Sequence, residues 1–191
     1  MKGNQLNINN PMPEFKNLPG VDGKKYSSSD FKDTNILVIV FSCNHCPYVK
    51  AYEDRMIAVQ KDYTGKGVQL VAINSNDERN YPDDNFDEMI KRAKAKGFNF
   101  KYLRDADQQT AEAFGATHTP QFFVFSAEGG SASGGDLKRK LRYSGKMDDN
   151  WENPKAAKEN YLRDALDALL IGKEVKTPET FSIGCTIKWK V

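Results

Sequence analysis

No uninterrupted apolar run in the 191 residues exceeds the six of Ile36–Phe41. That is far below the ~20 that cross a bilayer, so no membrane-spanning segment is expected. Residues Met1 to Asn10 lack the continuous apolar stretch and small-residue cleavage site of a secretory signal, and the expected compartment is the cytoplasm. An excess of one charge is missing too. The 28 Lys+Arg stand against 26 Asp+Glu, a formal net charge of +2, which argues against a partner held by the overall field, whether nucleic acid or membrane. Glycine and proline, 14 and 8, are at ordinary levels, and 39% hydrophobic content excludes collagen-like and wholly disordered chains. Cysteine is scarce. Three in a chain of this size argue against a disulfide scaffold, fit a reducing compartment and leave one thiol unpaired within the chain. At ~150 residues per domain the length favours one domain with excursions. Such a domain buries roughly 70% of its unfolded surface, so its cysteines are free for chemistry.

Hydrophobic patterning alternates strand with helix, and there is no internal repeat. Residues 1–12 read as a loose arm. Phe15, Leu18 and Val21 before Asp22-Gly23 predict a short hairpin. The β-branched run Ile36 to Phe41, apolar throughout, predicts a central strand covered on both faces. Val49, Tyr52, Met56, Val59 and Tyr63 recur at helical spacing, with Gly65 and Gly67 beyond them. A strand over Val68 to Ile73 follows, then a helix from near Asp84 to Gly97, a short strand at Tyr102-Leu103, a small helix from Asp107 to Phe114, and a strand from Gln121 to Phe125. Glu128 to Gly135 reads as a flexible hairpin loop leading to a strand around Leu141-Arg142-Tyr143. The last helix is expected to start at Asn153-Pro154 and stop at Gly172, ahead of a tail containing Pro178, Cys185 and Trp189. The class is α/β. Lys138-Arg139-Lys140 beside Asp136 reads as a solvated loop, Asp148-Asp149-Asn150 as a turn, and Trp151 as a surface anchor.

The stretch Ser42-Cys43-Asn44-His45-Cys46-Pro47 puts a Cys-x-x-Cys pair where the central strand hands over to a helix. Proline is tolerated only in the first helical turn, so the helix begins no earlier than about Cys43, which is expected at or beside its N-terminus. The free amides and the positive dipole end there favour a thiolate. Cys43 is therefore the expected nucleophile, and Cys46, one turn deeper and more shielded, the resolving thiol. Asn44 and His45 lie between them; His45 would stabilise the Cys43 thiolate and raise the potential, or be a solvated residue without electrostatic consequence. The competing account is half of a zinc site. It lacks a second Cys-x-x-Cys or paired-histidine motif, leaving only His45, His118, Cys185 and carboxylates to complete it, so neither metal nor organic cofactor is expected.

Together with the Asp22-Gly23 hairpin, the strand ending Ala72-Ile73-Asn74-Ser75 and Phe114-Gly115-Ala116-Thr117-His118-Thr119-Pro120 before a strand, the cysteine motif resembles the thioredoxin-like superfamily. The likeness is to its alkyl hydroperoxide reductase and thiol-specific antioxidant branch, over residues 13–172, with 173–191 left as a tail. The resemblance implies a thioredoxin-like fold, a central mixed β-sheet flanked by helices, with an N-terminal β-hairpin extension. It also implies a cis bond between Thr119 and Pro120, whose loop faces the cysteines and offers the Thr119 backbone to an extended substrate; His45 and His118 would then border one site. Two family features are missing. Leu37 stands where thioredoxins often carry a buried acid six positions before the first cysteine, leaving a water, Glu53 or His118 as proton acceptor for Cys46. Ile36 and Val40 stand where peroxiredoxins use proline and threonine to hold peroxide.

The expected activity is that of a thiol-disulfide oxidoreductase acting through a Cys43–Cys46 disulfide. Its partners would be a disulfide- or thiol-bearing protein or small molecule and an external thiol reductant. The alternatives are a thiol peroxidase, with Cys43 peroxidatic and Cys46 resolving, and a redox-sensing binding module. Cys185 has two readings: a tail thiol that relays the disulfide, or, preferred on sequence, an inert thiol packed by Ile183, Ile187 and Trp189.

Overall fold

The computed structural model describes residues 5–127 and 139–190; the expected loop over 128–135 lies outside the described residues. The elements in chain order are β1 (Leu18–Pro19), β2 (Lys25–Tyr26), β3 (Ile36–Phe41), α1 (Pro47–Tyr63), β4 (Val68–Asn74), α2 (Phe86–Lys96), β5 (Lys101–Arg104), α3 (Gln109–Phe114), β6 (His118–Thr119), β7 (Gln121–Ser126), β8 (Lys140–Gly145), α4 (Tyr161–Leu170) and β9 (Cys185–Thr186). The central sheet has the order β5-β4-β3-β7-β8. Its β3–β4 and β4–β5 pairs are parallel, and its β3–β7 and β7–β8 pairs antiparallel. This mixed sheet flanked by helices is the thioredoxin-like fold, with β1 and β2 as a separate N-terminal hairpin turning at Asp22-Gly23. Among the described residues no helix is long and apolar enough to cross a membrane.

Strand β3 carries only apolar side chains because both sheet faces are covered. Alternate residues serve alternate cores. Ile36, Val38 and Val40 pack with Val49, Tyr52, Met56 and Val59 of α1, Met89 of α2, and Leu162 and Leu166 of α4. Leu37, Ile39 and Phe41 face an aromatic cluster with Phe114, Phe123 and Phe125, beside Phe15 and Phe31; Phe41 meets the rings of Phe114 and Phe123 edge-on, centroids 5.6 and 5.9 Å away. After α1 and a 3-10 turn, Gly67 adopts φ +76, and a Cβ there would come within 2.9 Å of the Asn35 side chain. That position needs glycine both for its backbone and for space.

Several expectations need correction. The arm is not loose over its described part. Asn9 N–H donates to the Leu141 carbonyl and Met12 N–H to that of Arg139, covering the first part of the outer edge of β8. Asn153 and Pro154 cap a 3-10 turn, Pro154–Ala156, and the last helix begins later, at Tyr161. Helix α2 begins at Phe86 because the Asn85 side chain caps it, accepting from Glu88 N–H at 2.9 Å. Arg139 does not belong to a solvated loop. It is 3% exposed, and its guanidinium donates to the carbonyls of Phe31 and Thr34. Within the expected Asp148-Asp149-Asn150 turn, Asn150 N–H donates to Asp148 Oδ1 at 3.1 Å; Asp148 is buried, accepting also from Tyr52 Oη at 2.9 Å and Arg55 at 2.5 Å, and Trp151 packs on Tyr48.

Candidate active site

At the end of β3 the chain bonds once more to β4, Ser42 N–H to the Ile73 carbonyl at 2.8 Å, and then turns through Cys43-Asn44-His45-Cys46. Helix α1 starts at Pro47, where a missing N–H is harmless because the first-turn amides have no intrahelical partner. Cys46, not Cys43, is therefore the residue at the helix opening, and Lys50 N–H makes the first helical bond to its carbonyl at 3.0 Å. The correction follows from proline occupying the first helical position itself rather than a later place in that turn.

The Thr119–Pro120 peptide is cis, and its loop closes over the cysteines. Thr119 Oγ1 lies 3.4 Å from Cys43 Sγ, and the Thr119 carbonyl 3.2 Å from Cys46 Sγ. A third sulfur joins them, since Cys185 Sγ lies 2.9 Å from Cys46 Sγ. Cys43 and Cys46 are 2% and 0% exposed, and Cys185 is half-buried.

The three thiols form one coupled group. A hydrogen bond from the Cys43 thiol pushes Cys46 down to about 4, against the cost of burial and with further help from Cys185 and the Val49 and Cys185 amides. The same bond to Cys46 holds Cys43 well above the ordinary thiol range, reinforced by burial and by the Asp84 carboxylate. Burial and the bond to Cys46 push Cys185 up to about 11. Cys43 and Cys46 are thus coupled, each sulfur setting the other's proton affinity, with Cys46 favoured downward and Cys43 upward. The Thr119 carbonyl is a neighbour that only the thiol form of Cys46 can use as an acceptor.

Sequence reading missed Asp84. It is fully buried and organises the whole turn. Oδ1 accepts from Asn44 N–H at 2.6 Å and Asn74 Nδ2 at 3.2 Å; Oδ2 accepts from Asn76 Nδ2 at 2.8 Å and pairs with His45 Nδ1 at 2.6 Å. Asn44 is tied further, donating to the Asp83 carbonyl and accepting from Tyr102 Oη at 2.9 Å. The only sequence signal was Pro82 in an acidic turn ahead of a helix; nothing local announces a partner 40 residues upstream. His45 stacks on Tyr81, with centroids 5.6 Å apart and planes 12° apart. It is thus held by Asp84 and Tyr81 rather than solvated.

The family profile of AhpC/TSA proteins matches residues 8–130. The chain belongs to the AhpC/TSA family. Two solved structures are similar along almost the whole chain. An uncharacterized conserved protein from Geobacillus kaustophilus is 38% identical over 100% of this chain and 96% of its own, with a TM-score of 0.86. Hypothetical protein SMc02350 from Sinorhizobium meliloti 1021 is 36% identical over 98% and 97%, with a TM-score of 0.85. A thiol:disulfide interchange protein of the thioredoxin family from Chlorobium tepidum TLS is 25% identical over 67% and 85%, with a TM-score of 0.53. No curated protein matches.

Within this AhpC/TSA chain the other expected residues divide. Thr119 meets the cysteines and is followed by Pro120 across the cis bond. His118 shares β6 with Thr119, and because strand side chains alternate, its ring turns to Thr117 Oγ1, 2.8 Å away, rather than to the cysteines. Glu53 is held by Arg92 through two bonds, 2.6 and 2.8 Å, which leaves it badly placed as a proton acceptor for Cys46. Leu37 packs in the aromatic core, whereas the cysteines belong to the opposite one. Ligand-type atoms of Cys43, His45 and Asp84 lie within 4.8 Å of one another. Asp84 is already saturated by its four partners, however, so the set does not fit a cation.

His45→Ala is expected to shift the Cys43/Cys46 potential in the reducing direction, on the order of 20 mV. Removing the imidazole leaves the Asp84 charge near the sulfurs less compensated and disfavours the thiolate, hence the dithiol form. Equilibration against glutathione buffers measures this; an unchanged or more oxidising variant rejects the role.

Proposed function

We propose that the protein is a thiol-disulfide oxidoreductase whose redox couple is the Cys43–Cys46 pair, acting in the cytoplasm on a disulfide- or thiol-bearing protein or small molecule and reset by an external thiol. The observation that carries this reading is the Cys43 and Cys46 sulfurs buried together ahead of a helix, with the Thr119 side chain against one and its carbonyl against the other. Membership of the AhpC/TSA family and the likeness to a thiol:disulfide interchange protein support the same chemistry.

In the forward reaction the coupled Cys43 and Cys46 share one proton, which passes to Cys46 as Cys43 Sγ attacks a substrate disulfide. One substrate sulfur leaves as thiolate and the other stays bonded to Cys43. The leaving thiolate then takes the proton from Cys46, whose sulfur attacks Cys43 Sγ. The Cys43–Cys46 bond forms and the second substrate thiolate departs. Two electrons pass from the cysteine pair to the substrate, and an external dithiol returns them. Thr119 supplies a hydroxyl beside Cys43 and a carbonyl beside Cys46. Peroxide reduction is the weaker reading because Ile36 and Val40 are buried apolar strand residues, with no hydroxyl to orient a peroxide.

The test is turnover of a small aromatic disulfide with dithiol reductant, alongside mass mapping of protein equilibrated in graded glutathione buffers. Wild type is expected to turn over and to close the Cys43–Cys46 bond, and Cys43→Ser to lose turnover roughly 10³-fold or more. No Cys43–Cys46 disulfide in any buffer, or faster loss of the Cys43 thiol to hydrogen peroxide than to the disulfide, overturns the proposal.

A further inference from the structure

The carboxy-terminal segment is fastened across the site. Thr180 is tied to β8 through Ser144 and Tyr143. Strand β9 then pairs antiparallel with β6, Thr119 opposite Cys185 and His118 opposite Thr186. Beyond it, Ile187 N–H donates to the Thr117 carbonyl at 2.9 Å, and the Lys188 backbone bonds the Asn76 side chain and the Asp77 amide. Gly184 lets this strand approach: a Cβ there would stand 2.3 Å from the Thr119 carbonyl oxygen. The segment thus occupies the edge of the Thr119 strand where an extended substrate would add, and it delivers a sulfur to the position that substrate would fill.

Cys185 is half-buried, packing against the core cluster that holds Cys43 and Cys46. Ile183 and Trp189 are 41% and 40% exposed, and Ile187 belongs to the core on the opposite sheet face. What Cys185 touches instead is Cys46 Sγ, at 2.9 Å and inside the distance at which reacting atoms are poised.

We propose that Cys185 is the third thiol of an internal relay: its sulfur attacks Cys46 Sγ in the Cys43–Cys46 disulfide and carries the bond to the tail. This rests on Cys43–Cys46 being the redox couple. The Cys46–Cys185 bond forms, the Cys43–Cys46 bond breaks, and Cys43 leaves as a thiolate that takes the proton released by Cys185. No electrons leave the chain, so no further oxidant is involved. The exchange moves the disulfide from two enclosed residues to one that is half-exposed, where an external dithiol meets it. Burial and the bond to Cys46 hold Cys185 protonated in the reduced protein. Closure of the Cys43–Cys46 bond removes the second of these restraints and leaves the lowering influence of Lys188 in place.

The test is acid quenching, alkylation and mass mapping of the full chain after equilibration in glutathione buffers, with dithiol reduction rates of the oxidised protein. Wild type is expected to contain both Cys43–Cys46 and Cys46–Cys185 links, and Cys43→Ser only the latter. Gly184→Val, which keeps all three cysteines but cannot seat β9 against Thr119, is expected to keep Cys43–Cys46 and lose Cys46–Cys185. Cys185→Ser is expected to reduce about tenfold more slowly than wild type. Cys43–Cys46 alone in wild type, with no Cys46–Cys185 link in Cys43→Ser, overturns the relay and leaves the redox couple standing; so does a Gly184→Val protein crosslinked like wild type. The absence of every intramolecular disulfide removes the couple itself.

Discussion

Asp84→Ala is expected to destabilise the protein by about 3–5 kcal/mol, lowering the melting temperature by about 10 °C for a chain of this size. The cost comes from what the carboxylate leaves behind. The Asn44 amide and the Asn74 and Asn76 side chains all donate to it in a site closed to water, and each stranded donor costs roughly 1–3 kcal/mol, partly recovered by local rearrangement. His45→Ala removes one partner from the periphery of the same node and is expected to cost under about 1.5 kcal/mol. Asp84→Asn separates charge from shape: its amide turns a donor toward donors, so stability still falls. Cys43, held up first by its bond to Cys46 and then by burial and the Asp84 charge, should titrate at lower pH in this variant. Calorimetry of the three variants and thiol alkylation of Asp84→Asn across pH measure these effects. Asp84→Ala as stable as wild type would show that the turn does not depend on this carboxylate.

How much of this was legible follows from the range of each interaction. The face of α1 from Val49 to Tyr63 is buried as its spacing predicted, because amphipathic periodicity is local and nearly independent of the partner. Strand β3 announced its central place through six apolar residues in succession, and the Asp22-Gly23 turn through its own dipeptide. The cysteine motif was legible as chemistry but not as geometry. That a third sulfur, Cys185, lies against Cys46 depends on a residue 139 positions further along the chain, and that Cys46 rather than Cys43 opens the helix depends on where proline sits within the first turn. Arg139 read as solvated because its charge hides that it serves two carbonyls more than a hundred residues upstream. The start of α4 was misread because Asn153-Pro154 is a valid start signal that a 3-10 turn consumed first.

Cys46→Ser should give the second large effect, because Cys46 is the one sulfur in contact with both of the others. Disulfide turnover is expected to fall by roughly 10³-fold or more, with loss of both crosslinks that Cys46 can form. The variant also isolates a pH dependence. Unfolding returns each thiol to ~8.5. Cys46, at about 4 in the fold, contributes stability that is fully present above ~8.5 and is lost as pH falls toward 4. Cys185 at about 11 and the raised Cys43 act oppositely: stability is intact below ~8.5 and lost as pH rises through their folded values. The reduced wild-type chain should therefore gain stability relative to Cys46→Ser as pH rises from 4 toward ~8.5, then lose that advantage above it. Taking the difference between the two proteins cancels the carboxylates, histidines and tyrosines they share. Urea unfolding of both chains in the presence of reductant measures the curve. A flat difference between pH 4 and ~8.5 would mean that no thiolate is held on Cys46 in the reduced fold.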